Sequence, residues 1–148
     1  MEWQQHEFTI STDPQRLDIA FIHGFLSQSY WAKNIPVEVV QRSVNGSLVF
    51  GVFRQQQQVG FARVITDKAT FAYLADVFID KTFRGHGLSK WLMQVIMEHP
   101  DLQGLRRFML ATRDAHGLYR QFGFTAITSP ENLMALHKPD VYVQQQPS

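Results

Sequence analysis

Asp76-Val77-Phe78-Ile79-Asp80-Lys81-Thr82-Phe83-Arg84-Gly85-His86-Gly87-Leu88-Ser89-Lys90 is the stretch on which the fold turns. Its first residues continue the run Phe71-Ala72-Tyr73-Leu74-Ala75, whose aromatic and apolar content reads as a strand. Beyond Asp80 the apolar period changes from two to helical, with Leu88, Trp91, Leu92, Val95, Ile96 and His99 on one side before Pro100. Between the two lies a loop holding Gly85 and Gly87. Such a strand-loop-helix unit cradles anions: the first N–H groups of a helix have no intrahelical partner and carry partial positive charge. Glycine lets the main chain approach a pyrophosphate with no Cβ in the way. Arg84 adds a fixed charge and Lys90 a second. By itself a Gly-x-Gly before a helix is more often plain turn chemistry, and the register is not that of a Walker loop. A dinucleotide-binding loop would follow the first strand of a parallel sheet, whereas several strands precede this one.

Outward from this unit the elements fall into order. Phe8 to Ser11 reads as a strand, and Ser11-Thr12-Asp13-Pro14 as a helix start. Leu17, Ala20, Phe21, Gly24 and Phe25 form one face of the helix that follows. A connection through Tyr30, Trp31 and Lys33 reaches Pro36, and a second helix runs from Val37 to about Val44, closed by Asn45-Gly46. Ser47 to Arg54, Val59 to Thr66 and Thr70 to Asp80 are strands joined by connections too short for a crossover helix, hence an antiparallel meander with Gln55 to Gln58 at its first tip. Downstream, Leu105 to Ala111 is a strand, Asp114 to Phe122 a helix with Asp114 as N-cap and Gly123 as its stop, and Phe124 to Ile127 and Leu133 to Leu136 are strand candidates. The expected fold class is α/β (α+β): a mixed, mostly antiparallel sheet in which the strands flanking the long helix are parallel through a right-handed crossover. One domain over residues 1–140 is expected, with residues 141–148, ending Gln144-Gln145-Gln146-Pro147-Ser148, as a flexible tail.

Composition narrows function. The 148 residues are 45% hydrophobic and 18% charged, which excludes disorder as the main state. Without cysteine there is no disulfide scaffold, thiolate zinc site or cysteine nucleophile. A net charge of +1 is too balanced for a protein that chiefly neutralises a nucleic-acid backbone. Asp76 and Asp80 interrupt the most apolar segment, so no stretch approaches the roughly 18 apolar residues of a membrane span. Met1 to Glu7 lack a charged region leading into an apolar run. A soluble, cytoplasmic protein is expected. The six histidines show no metal-binding spacing, so no metal is expected; His99 suits a helix dipole and His116 is a plain helix residue.

Two motifs carry a resemblance. Arg84-Gly85-His86-Gly87-Leu88-Ser89 follows the pattern Arg/Gln-x-x-Gly-x-Gly/Ala with Ser89 at the last position, and Ala115-His116-Gly117-Leu118-Tyr119-Arg120-Gln121-Phe122-Gly123-Phe124 follows Ala-x-x-Leu-Tyr-x-x-x-Gly-Phe. In this order, and over roughly Phe8 to Leu136, the chain resembles the GCN5-related N-acetyltransferases, the GNAT family. The resemblance implies a cleft where the strand ending at Asp80 and the strand ending at Ala111 splay apart, holding acetyl-CoA. The pantetheine arm would lie along Val77, Phe78 and Ile79 as an added strand, and the diphosphate on Phe83 to Ser89, that is Arg84, Gly85, His86, Gly87, Leu88 and Ser89, held mainly by backbone amides. Thr112 stands where the family often has a cofactor-contacting asparagine.

The same resemblance assigns roles. The Phe78 N–H would donate to the thioester oxygen, and Tyr119 would be the general acid, its ordinary pKa of about 10 keeping it protonated. Tyr119 is otherwise a core aromatic beside Leu118 and Phe122. Asp76, placed by strand period on the face of Leu74 and Phe78, is either a base or ammonium-binding group, or a structural partner of Arg63 or Arg113. The substrate-side set is Tyr30, Trp31, Arg63, Tyr73, Asp76 and Arg113. The expected activity is acetyl transfer from acetyl-CoA to a primary amine of a small-molecule, or an amino-acid or peptide, acceptor by direct attack in a ternary complex. The alternative is an acyl-CoA-binding module without catalysis. Homodimers are common in the family, and a homodimer is the one protein partner the resemblance implies.

Overall fold

Valine, phenylalanine and isoleucine dominate the central strands of a six-stranded sheet; short turns return the second, fourth and fifth strands beside their predecessors, while a helical segment joins the second to the third. The computed structural model describes residues 1–143. The strands are β1 (Glu2–Gln5), β2 (Phe8–Ser11), β3 (Leu48–Arg54), β4 (Gln57–Thr66), β5 (Phe71–Ile79) and β6 (Arg107–Leu110), and they lie in the sheet in that order. All neighbours are antiparallel except β5 and β6, which are parallel. The parallel pair follows from what separates them: α3 (Leu88–Glu98) carries the chain back to the starting end. The remaining helices are α1 (Ile19–Leu26), α2 (Val37–Asn45) and the short α4 (His116–Arg120).

Each sheet face has its own core. One face packs Ile10, Phe50, Val52, Ala62, Val64, Ala72 and Leu74 against Leu88, Leu92, Met93 and Ile96 of α3. The other packs Val49, Phe61 and Phe78 against Ile22 and Leu26 of α1 and Val40 and Val44 of α2. The helical period of α3 explains its placement: Leu88, Trp91, Leu92, Val95 and Ile96 are all buried.

Several local expectations are corrected. The N-terminal strand β1 was not foreseen; its residues are largely polar because it is an exposed edge paired only with β2. Pro14 starts only a three-residue 3₁₀ turn capped by Asp13, and α1 begins afresh after Asp18, whose carboxylate accepts from Phe21 N at 3.0 Å. Gln58 is no part of a hairpin tip: it is buried, its Oε1 accepting from Asp18 N at 2.7 Å and its Nε2 donating to Gly60 O at 3.0 Å. The helix expected over Asp114 to Phe122 is confined to His116–Arg120, and Thr112, not Asp114, caps its approach by accepting from Ala115 N at 3.0 Å. Gly123 does stop it, at φ +93°. Phe124 to Ile127 and Leu133 to Leu136 are not strands, because no neighbour offers them a ladder; Phe124 instead sets its ring edge-on to Phe108. Of the expected tail, residues 141–143 form a turn with Tyr142 against the second core, and 144–148 lie outside the described residues.

His99 also differs from expectation. It is 4% exposed, ringed by Trp3 and Phe50, and its Nδ1 accepts from Asp101 N at 3.1 Å. Burial holds its pKa below the usual 6.5, so it is a neutral capping group and not a cation on a helix dipole.

Candidate active site

The site begins with an irregularity in β5. Its pairing with β4 runs Arg63↔Ala75 and then Phe61↔Phe78, so Asp76 and Val77 together face the single residue Ala62: a β-bulge. Asp76 takes φ +56°, a left-handed conformation that Asp tolerates better than most residues. The extra residue inverts the strand's faces. Leu74 lies in the α3 core and Phe78 in the α1–α2 core, where unbroken period two puts them together. The expected face of Asp76 is thereby corrected.

The carboxylate secures this turn of the strand. Its Oδ2 accepts from Arg63 Nε at 2.6 Å and its Oδ1 from Trp31 Nε1 at 2.8 Å, with the Asp76 side chain 8% exposed and that of Arg63 17%. Arg63 also donates from NH1 to Ser47 Oγ at 3.3 Å. Of the two cations sequence offered to Asp76, Arg63 is the partner. Arg113 goes elsewhere, its guanidinium carbon 3.7 Å from the centre of the Tyr30 ring.

Just before the bulge, β5 and β6 part. Their pairing extends only from Phe71↔Arg107 to Leu74↔Leu110, and β5 continues to Ile79 without β6 beside it. The gap is a cleft of about 890 Å³. Its lining brings together Val77, Phe78, Ile79, Arg84, Ser89, Thr112 and Tyr119 from the expected cofactor set with Tyr30, Trp31, Arg63, Tyr73, Asp76 and Arg113 from the expected substrate set. Gly85, His86, Gly87 and Leu88 are not part of that lining and continue the loop beyond it. Leu88 buries its side chain in the core, so whatever it offers a ligand comes from the main chain, while His86 is exposed with its ring 5.8 Å from that of Phe8. Phe78 likewise spends its side chain on packing, stacked on Phe25 with ring centroids 3.9 Å apart.

The loop has the features an anion requires. Asp80 accepts from Thr82 N, Arg84 Nε donates to Ile79 O at 3.3 Å, and these bonds fix the loop to the strand end. Gly85 and Gly87 have φ of +91° and +72°, and no atom lies within 4 Å of where either Cβ would stand. Gly87 is the residue before α3 and offers no side-chain cap. The amides of residues 85 to 90 have no protein acceptor among the described residues.

Tyr119 closes the cleft from α4. The residue is 9% exposed, and its hydroxyl has no hydrogen-bond partner among the described residues. Since no sealed polar side-chain atom lacks a partner there, the hydroxyl opens onto the cleft. Burial, reinforced by the charge of Asp114, raises its pKa above 10.0, so the phenol keeps its proton across the physiological range. Asp114, expected as an N-cap at the cleft mouth, lines the cleft, and so do Phe25, Leu74, Ala75, Leu110, Ala111, Ala115 and Leu118, which sequence did not assign to the site. Phe25 had a visible signal, the helical spacing that puts it on the sheet-facing side of α1; the others become lining residues only through the splay.

A mixed sheet with a bulged strand, a diverging parallel pair and a glycine-bearing helix start with free amides defines the acyl-CoA N-acyltransferase class of fold. The chain belongs to the GNAT acetyltransferase family: the model of the acetyltransferase (GNAT) domain matches residues 45–126. A presumed acetyltransferase of the GNAT family from Xanthomonas campestris pv. campestris, known from a crystal structure, is 56% identical, with TM-score 0.89 over 91% of this chain and 96% of that one. A presumed acetyltransferase of Gibberella zeae is 33% identical over 79% of this chain and 78% of its own length. A Clostridium acetobutylicum protein crystallised with acetyl-CoA shares the fold, at TM-score 0.62 and 12% identity, over 88% of this chain and 94% of that one.

Proposed function

We infer that this acetyltransferase uses acetyl-CoA and acetylates the primary amine of a small molecule by direct attack, with donor and acceptor together in the cleft between β5 and β6. The observation that carries the reading is the conjunction of unpartnered amides at residues 85 to 90 with the protonated Tyr119 hydroxyl opening onto the same cleft. Acetyl-CoA supplies a thioester acyl group and a sulfur leaving group, so a C–N bond forms as a C–S bond breaks, the nitrogen losing a proton and the sulfur gaining one. The fit is good at two points. The orphan amides, the positive-φ glycines and Arg84 suit a diphosphate. The edge of β5 from Ala75 to Ile79, not paired with β6, suits an extended amide-bearing arm.

In this reading Tyr119 holds its proton on Oη as general acid. Burial favours that assignment, because a phenol stripped of water resists ionisation until a developing anion takes the proton. The Phe78 main-chain N–H is the candidate oxyanion donor; a lost donor of that kind costs ~10²–10³ in rate. Asp76, with both oxygens occupied, serves by holding the bulge and Trp31 in place. The proton leaving the acceptor nitrogen goes to water.

Coenzyme A release measured over a panel of primary amines tests this. Tyr119→Phe is expected to lower kcat by ~10²-fold or more while coenzyme A affinity is kept. Coenzyme A binding with no release for any amine identifies a non-catalytic binding module and overturns the catalytic reading.

A further inference from the structure

Arg113 has been left unspent by the fold. The ion pairs of the described residues are Arg16–Glu2, Arg54–Glu7, Arg63–Asp76 and Lys68–Asp101, and Arg113 belongs to none of them. Nor does it donate a hydrogen bond to any described residue. It is nonetheless held, lying over the Tyr30 ring at 3.7 Å, while Tyr30 packs edge-on to Trp31 at 5.1 Å and Trp31 is bonded to Asp76. Stacking uses the face of a guanidinium and leaves its rim of N–H donors, the edge that pairs bidentately with an oxyanion, turned outward. Tyr30, at 56% exposure, forms part of the cleft lining with Arg113.

The other charges facing this end are accounted for. Asp76 and Arg63 neutralise each other at 2.6 Å. Asp114 makes no ion pair, and its field falls on Tyr119, whose pKa it helps to raise. Arg84 is tied to the loop at the opposite end through Ile79 O. What remains on the acceptor side is one ordered cation with its donors free, stacked on Tyr30, and beside it in the chain the Asp114 carboxylate, which has no ion-pair partner among the described residues.

We propose that Arg113, steadied by Tyr30, anchors a compact oxyanion on the acceptor, so that the substrate is a small primary amine that also bears a carboxylate or a phosphate. This rests on the acetyltransferase reading above and adds the acceptor's chemical class. Alkylamines are outside that class because they leave the Arg113 donors with water alone.

The experiment compares coenzyme A release for three matched series of two to six carbons: alkylamines, ω-amino carboxylates and aminoalkyl phosphates, with calorimetric coenzyme A binding measured alongside. At least one anionic series is expected to exceed the alkylamines in kcat/KM by about 10- to 100-fold, the range of a charged hydrogen-bonded contact. The better of the two identifies the oxyanion. Arg113→Gln is expected to collapse that ratio towards one, chiefly through KM, and Arg113→Lys to keep part of it, since a point charge attracts without the fork. Coenzyme A affinity and Tm report whether each variant is folded; the wild-type ratio decides the matter if Arg113→Gln is not. Alkylamines turned over as well as their anionic counterparts, or no turnover of any anionic amine, overturns the inference while coenzyme A binding still stands. Absence of coenzyme A binding overturns both readings together.

Discussion

Asp76 combines three properties that rarely meet in one residue: a positive φ, near-complete burial of its carboxylate, and bonds to two different elements. Removing the carboxylate leaves Arg63 with an unpaired guanidinium in a largely dry setting, a loss of about 3–5 kcal/mol for a buried pair. Asp76→Ala is therefore expected to shift the urea midpoint sharply downward, whereas Asp76→Asn, which can still accept from Trp31, falls between the two. A midpoint unchanged in Asp76→Ala contradicts the structural role. The prominence of Asp76 in an apolar run was legible in sequence. Its orientation was not, since a bulge is set by how β4 and β5 fit each other and leaves no local pattern. Tyr119 was the reverse case: the amphipathic face that marks it as core is real, and its hydroxyl opens onto the cleft only because β6 turns away after Leu110.

At the level of elements, the site depends on two glycines used for opposite reasons. Gly87 sits at φ +72° with open space around it, so its requirement is conformational. Gly87→Ala is expected to cost about 1–2 kcal/mol wherever the loop must keep that conformation, and so to weaken coenzyme A binding about tenfold or more with a small change in Tm. Gly60, on β4, is needed for closeness: a Cβ there would stand 2.6 Å from Ile79 Cδ1 and 3.0 Å from Phe78 O. Gly60→Ala presses on the stretch of β5 that borders the cleft, and a destabilisation of about 1–3 kcal/mol by chemical denaturation is expected, together with a fall in kcat. The strand-loop-helix unit and the meander were readable from periodicity because both are local. The segments at 124–127 and 133–136 misled for the same reason: apolar alternation states what a strand could bury, and a strand also needs a neighbour with a free edge.

Taken as a whole, the molecule is one six-stranded sheet with a separate core on each face, and its pH response belongs to the α3 face. His99 titrates lower in the native chain than the ordinary 6.5 it has when unfolded, because burial disfavours the imidazolium. Between those values the unfolded state binds more protons, so stability rises with pH. The contribution is fully present above about pH 6.5 and is lost as pH falls through the folded-state value. Asp67, whose pKa the Thr70 hydroxyl and the amides of residues 69–71 hold far below the carboxylate range, stays ionised throughout that window. Urea midpoints are expected to decline from pH 7.5 to 5.5, and His99→Asn, which can still cap Asp101 N, to flatten the decline. Unaltered pH dependence in that variant contradicts the assignment. The most direct test of the central claim is calorimetric titration of the intact chain with coenzyme A. Saturable heat at one site per chain, displaced by acetyl-CoA and unaffected by ATP, is the predicted result. A flat trace at millimolar coenzyme A contradicts it.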